Sequence, residues 1–100
     1  VARLRIIVRP QADADLGEIW DYTARTWSVA QANSYIMALD DAFRHLAEMP
    51  EIAREQTLVS PPVRIYQTGK HNVIYRVLDG QLLIMRVLHV RADWQAQFDT

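Results

Sequence analysis

Apolar and polar residues alternate over the first eight positions. Leu4, Ile6 and Val8 interleave with Arg3, Arg5 and Ile7, the two-residue period of a strand with one buried face. Pro10 closes that run and is tolerated in a first helical turn, and Asp13 and Asp15 follow where the positive end of a helix dipole favours carboxylates. The period then lengthens. Ala12, Leu16, Ile19, Trp20, Thr23 and Trp27 step by three and four, predicting a helix over 10–26 whose other side, Asp13, Asp15, Glu18, Asp21 and Arg25, faces water. Ser28 with Gln31 reads as a capping box that opens a second helix. That helix carries Ala32, Tyr35, Ile36, Leu39, Ala42, Phe43 and Leu46 on one face and closes before Pro50. A connection of one or two residues folds the helices back on each other, so both apolar stripes share one partner surface.

That surface is expected to be a sheet. The stretch 51–62 has no period, ends in Pro61-Pro62 and reads as a loop. Strand-like runs follow over 63–68, 71–78 and 81–88, separated by Gly69-Lys70 and Asp79-Gly80. Asp-Gly suits a type I′ turn, which needs positive φ at both central residues, and Gly first in its pair suits type II′. Two-residue turns fix register, and register fixes faces. Leu78 opposite Gln81 sets Tyr75 against Ile84, Val73 against Arg86 and His71 against Leu88; Thr68 opposite His71 sets Tyr66 against Val73 and Arg64 against Tyr75. One face then holds Val63, Ile65, Ile74, Leu83, Met85 and Val87, with Arg76 and Asn72 as polar exceptions, and is expected to meet the helices. The other holds Arg64, Tyr66, His71, Tyr75 and Arg86 beside Val73, Ile84 and Leu88. The tail over 92–98 is expected to make a helical turn or two with Trp94 and Phe98 on one side.

The expected fold is therefore α+β: an N-terminal strand, then an antiparallel helical hairpin packed on one face of a twisted antiparallel sheet. That sheet comprises the three-stranded C-terminal meander and the N-terminal strand, in a single domain over 1–100.

Composition narrows the function. Half of the residues are hydrophobic, with three Gly and four Pro, which excludes a disordered or low-complexity chain. Eleven basic residues against twelve acidic ones leave a formal charge of -1, so no overall cationic field holds a long nucleic-acid backbone and any polyanion site must be local. The absence of Cys removes disulfides, thiolate metal sites and a thiol nucleophile, and fits a reducing compartment. No apolar run reaches the length of a membrane span and no signal-peptide stretch stands at the N-terminus, so the expected location is the cytoplasm.

His45, His71 and His89 lie on different elements without metal-ligand spacing, Ser28, Ser34 and Ser60 sit in no nucleophile elbow, and no Gly-rich loop precedes a helix. Neither a metal nor a cofactor is expected. Asp13 with Asp15, and Asp40 with Asp41, read as solvated helix positions. The remaining constellation is the mixed face of Arg64, Tyr66, His71, Tyr75 and Arg86, with His89 and Arg91 just beyond the last strand. Guanidinium forks bind carboxylate or phosphate and phenol rings supply contact area, so these seven residues form a candidate partner-binding surface. Read as structure alone, they are a solvated sheet face on which Arg64 stacks over Tyr75 and Arg86 pairs with a carboxylate. Apolar groups on that same face call for a cover: the tail, a second copy or another chain.

The order strand, helical hairpin, three-stranded meander, together with RPQADADLGEIWDYTARTW at 9–27, QANSYIMALDDAFRHLAEMP at 31–50, GKHNVIYRV at 69–77 and IMRVLH at 84–89, resembles the ParE branch of the RelE/ParE toxin superfamily over nearly the whole chain. The resemblance implies a bacterial toxin of a type II toxin-antitoxin pair, neutralised by a small ParD-like antitoxin that wraps it. It also implies a free toxin that inhibits DNA gyrase by protein-protein binding, with no hydrolytic activity and no specific nucleic-acid binding of its own. Nuclease members of the superfamily instead cut ribosome-bound messenger RNA with Lys, Arg and Tyr or His groups on the same sheet face. Here Asn72 follows His71 where such nucleases can carry Arg, and the tail offers Trp94 and Phe98 in place of a phenol or imidazole. A proton acceptor near the tail is thus missing from that alternative, unless His71 or His89 substitutes.

Overall fold

Both helices form where the spacing of apolar residues places them. The computed structural model describes residues 3–98. Helix α1 (Pro10–Thr26) starts on its proline, and α2 (Val29–Glu48) is capped by Ser28, whose hydroxyl accepts the Gln31 amide at 3.0 Å. The indole N–H of Trp20 donates to Asn33 Oδ1 at 2.9 Å and ties the two helices beside their short connection. Ala32, Leu39, Ala42, Phe43 and Leu46 are buried along the inner face of α2, as their period requires.

Five strands form one sheet: β1 (Arg5–Val8), β2 (Glu55–Gln56), β3 (Val63–Thr68), β4 (His71–Leu78) and β5 (Gln81–His89), in the order β1-β5-β4-β3-β2. The sheet is mixed rather than wholly antiparallel, because β1 runs parallel to β5 from Arg5 opposite Gln81 to Val8 opposite Ile84. Parallel pairing delivers the chain into α1 beside the later half of β5, where the Arg9 amide donates to the Ile84 carbonyl at 3.0 Å. The stretch expected to be a loop contains a 3-10 turn over Pro50–Ile52 and the short edge strand β2, which pairs antiparallel with β3. Two residues of strand are too few to leave a periodic signal.

The two hairpin turns match their sequences. Asp79 and Gly80 have φ of 52° and 74°, as a type I′ turn needs, and Gly69 has φ of 57° at the first turn. Register follows expectation from Leu78 opposite Gln81 to Tyr75 opposite Ile84, and then slips. Ile74 pairs with Arg86, Val73 with Val87 and His71 with His89, so β5 carries one extra residue at Met85. Beyond this bulge every side chain of β5 changes sides relative to the expected pattern.

The faces themselves are exchanged. Helices pack on Tyr66, Val73, Tyr75, Leu82, Ile84 and Val87, joined by Leu4 and Ile6 of the N-terminal segment. Val63, Ile65, Ile74 and Leu88 lie on the far side under Val59, Ala92, Trp94 and Phe98. The two faces are about equally apolar, so alternation alone does not say which one meets the helices. What decides is the phenol of Tyr75: its ring is fully buried while its hydroxyl reaches out of the core to donate to the Pro50 carbonyl at 2.6 Å. Arg76, an apparent polar exception under the helices, is on the far side, donating to the carbonyls of Pro62 and Pro61 at 3.2 and 2.9 Å. Trp94 and Phe98, their ring centroids 6.3 Å apart, cover the far face across a 3-10 turn over Gln95–Gln97. The tail thus covers the face that was expected to meet the helices, while the helices themselves cover most of the mixed face for which a tail, a second copy or another chain was expected.

The first hairpin turn is seated on α2. A side-chain carbon built on Gly69 would stand 2.9 Å from Tyr35 Oη, at a φ that side chains disfavour. Gly69→Ala is expected to destabilise the fold by about 1–3 kcal/mol, read as a lower urea midpoint at unchanged m-value. Gly80→Ala, with open space around it, carries only the backbone part of that cost and is the control.

Candidate functional site

The seven candidate residues divide into two groups, since the bulge and the exchanged faces separate Arg64 from Arg86. Arg64 stands opposite Tyr75 on the helix side, whereas Arg86 stands opposite Ile74 on the far side. Arg64 donates to the Ala53 carbonyl at 2.6 Å and anchors the segment before β2. Tyr66 is half-buried, 6.1 Å between ring centroids from His45, and Tyr75 is wholly enclosed. Burial pushes the Tyr75 hydroxyl above the usual phenol range, opposed by the nearby Arg64 charge. Tyr66 and Tyr75 belong to the helix-side core, and Arg64 and Tyr75 also border a concavity that they share with Arg76 and Leu78.

Arg86, His71 and His89 come together at the opposite edge, with Arg91 exposed just beyond. Arg86 Nε and Nη2 donate to the two carboxylate oxygens of Asp15 at 2.8 and 2.9 Å, and its third nitrogen donates to Gln97 Oε1 at 3.1 Å. The second Asp15 oxygen also accepts the Val87 amide at 2.9 Å. Asp15 is therefore a buried partner, 7% exposed, and not the solvated helix position its neighbours suggested. Its spacing carried the signal, three residues after Ala12 and four before Ile19, squarely on the inner stripe. The hydrogen bonds that Arg86 donates to Asp15 raise its pKa further, against a smaller opposing effect of burial.

His71 and His89 face each other across β4 and β5, ring centroids 5.6 Å apart and nearly perpendicular. Tyr35 of α2, expected only as a core residue, joins them: its hydroxyl accepts the Lys70 amide at 3.2 Å and lies 2.6 Å from His71 Nδ1. Burial raises the Tyr35 pKa, the Lys70 amide pulling the other way. Burial lowers the His71 pKa, and a charge on His89 would lower it further, with Asp15 opposing. These groups line an open groove of about 760 Å³ between α1, the β3–β4 turn and the end of β5, with Tyr22 and Trp27 on the α1 side. Among the described residues no group of three or more His, Cys, Asp or Glu is placed to hold a metal ion. No helix among them is long and apolar enough to cross a membrane.

A second concavity, of about 430 Å³, lies at the other end of the sheet. Arg9, Pro61, Arg76, Leu78, Leu83 and Met85 contribute to its lining. Leu78 is 57% exposed there, Val77 43%.

The fold is shared with a solved chain described as from the chromosomal ParDE TA system of P. aeruginosa. That chain superposes with a TM-score of 0.75 over 89% of this chain and 98% of its own, at 18% identity. Sequence then narrows the class. Residues 6–94 match the family described as ParE toxin of type II toxin-antitoxin system, parDE. Toxin ParE1 of Mycobacterium tuberculosis (strain ATCC 25618 / H37Rv) is 39% identical over 90 residues, spanning 89% of this chain and 92% of the relative. Toxin ParE1 of Caulobacter vibrioides is 35% identical over 79 residues, spanning 79% and 81%, and Toxin ParE of Escherichia coli is 31% identical over 88 residues, spanning 87% and 85%. The chain belongs to the ParE toxin family.

The depressed His71 pKa has a stability consequence with a definite sign. Well above 6.5 the imidazole is neutral in both states; as the pH falls through 6.5 the unfolded chain takes up a proton that the folded chain resists. Unfolding free energy is expected to fall as the pH drops from about 7.5 through 6.5 toward 5.5, and to fall less steeply in His71→Gln. Urea melts across that range and an NMR titration of the imidazole protons check it; a His71 midpoint above 6.5 contradicts it.

Proposed function

We propose that this ParE-family toxin inhibits DNA gyrase by protein-protein contact, without a hydrolytic step of its own, and is held inactive by a ParD-like antitoxin. Its family membership carries the reading, and the state of the sheet-face groups supports it. A nuclease on this face would need mobile cationic and acid-base side chains converging on one phosphodiester. Here Arg64 and Arg86 leave the sheet on opposite sides, Arg86 is held by both oxygens of Asp15, and Tyr75 is enclosed. In a supercoiling assay the purified chain is expected to lower gyrase activity and to accumulate cleaved DNA, while a translation extract keeps its transcripts intact. Normal supercoiling at micromolar toxin contradicts the gyrase assignment, and site-specific cleavage of messenger RNA favours the nuclease alternative.

For the antitoxin, the enclosed Tyr75 and the core-facing Tyr66 leave little of the helix-side face of the sheet to dock on. The concavity at Leu78, Leu83 and Met85, edged by Arg9 and Arg76, offers an apolar strip with cations beside it. That combination suits an amphipathic segment with acidic residues. Leu78→Asp places a carboxylate on an exposed apolar position and is expected to weaken antitoxin binding by about 2 kcal/mol or more, with the unfolding midpoint little changed. Calorimetric titration with the cognate antitoxin measures it, and unchanged affinity moves the interface elsewhere.

A further inference from the structure

The groove between α1 and the β3–β4 turn has two chemically distinct ends, and neither is used by the toxin reading above. At the hairpin end, hydrogen bonds determine which ring nitrogens are occupied. Tyr35 Oη accepts the Lys70 amide and so has its own proton to donate to His71 Nδ1; His89 Nδ1 accepts the Arg91 amide at 3.1 Å. With both Nδ1 atoms so engaged, Nε2 is the ring nitrogen that each imidazole has left for a ligand, and both rings line the groove together with Lys70. On the α1 side the charge of Asp15 is balanced by Arg86, while Glu18 keeps negative charge on that wall. An anion is accordingly confined to the hairpin end. The α1 wall also presents two large aromatic rings to solvent, Tyr22 at 63% exposure and Trp27 at 69%.

We propose that this groove binds a nucleotide, its phosphate held at Lys70, His71 and His89 and its base stacked against Trp27 and Tyr22. The volume of about 760 Å³ lies within the usual range of small-molecule pockets. A planar ring gains from stacking on an exposed aromatic wall whatever its sequence identity. A helical peptide would need an aliphatic strip, but of the aliphatic lining Val87 and Leu88 are 2% and 9% exposed and Ile19 alone is partly open, leaving mainly aromatic and cationic groups to make the contacts. A long nucleic-acid strand would need a continuous cationic track, which a chain of formal charge -1 with one compact cluster of donors does not supply. The inference is independent of the gyrase assignment.

Isothermal titration of the full chain with adenosine 5′-monophosphate, adenosine and inorganic phosphate tests it, using the wild type, Trp27→Ala and Lys70→Ala. Both substituted side chains are on exposed residues, so the variants are expected to fold, which circular dichroism checks. The monophosphate is expected to bind about tenfold or more tighter than either adenosine or phosphate alone, and each substitution to weaken it by about fivefold or more. No heat at millimolar monophosphate overturns the proposal, as does full affinity in either variant. Tighter binding of hexaglutamate than of the monophosphate also overturns it and assigns the groove to an acidic polypeptide.

Discussion

One guanidinium ties the three layers of this protein together. Arg86 leaves β5 on the far side of the sheet, opposite Ile74, and passes around the strand edge where β1 has ended. There it meets both oxygens of Asp15 in the helix layer, and it also reaches Gln97 of the tail that covers the other face. The pair is largely removed from water, with side chains 16% and 8% exposed. Desolvation offsets much of the attraction in such a pair, so its main effect is on which arrangement is allowed: separating the partners would leave a buried charge without a counterpart. The same carboxylate satisfies the Val87 amide, an edge N–H beyond the reach of β1.

This contact and the bulge at Met85 belong to one arrangement. With the extra residue in β5, Val87 turns inward onto the helix-side core and Arg86 stands at the edge within reach of α1. His71 then meets His89 instead of Leu88, and the turn that carries Gly69 and Lys70 is held against Tyr35. The groove exists because these elements are fixed against each other. At the far end of the sheet the strip around Leu78 is exposed, bordered by Pro61, Pro62 and Arg76.

Much of this was legible in the sequence wherever local chemistry determines the outcome. The three-and-four spacing placed both helices, Ser28 capped the second, and Asp79-Gly80 and Gly69 set the turns because only certain residues tolerate their backbone angles. The motif set pointed to the toxin family that the relatives then identified. What stayed hidden depends on contacts between distant residues. No glycine or proline marks the bulge at Met85, so nothing in IMRV announces the slip that shifts Arg86, Val87 and Leu88 to the other side relative to β4. Two equally apolar sheet faces cannot be ranked by alternation; the ranking comes from Tyr75 reaching the Pro50 carbonyl. Asp15 looked solvated because carboxylates usually are, and its role follows from Arg86, 71 residues away.

The bonding of Asp15 to Arg86 is tested most directly by a double-mutant cycle of Asp15→Asn and Arg86→Gln, read by urea unfolding. If one buried pair holds the helix layer to the bulged strand, each single change costs about 3–5 kcal/mol, the double change costs far less than their sum, and the coupling reaches about 2 kcal/mol or more. Costs that add to within about 0.5 kcal/mol would mean that the two groups act independently, and that the bulge and the groove are held by something else.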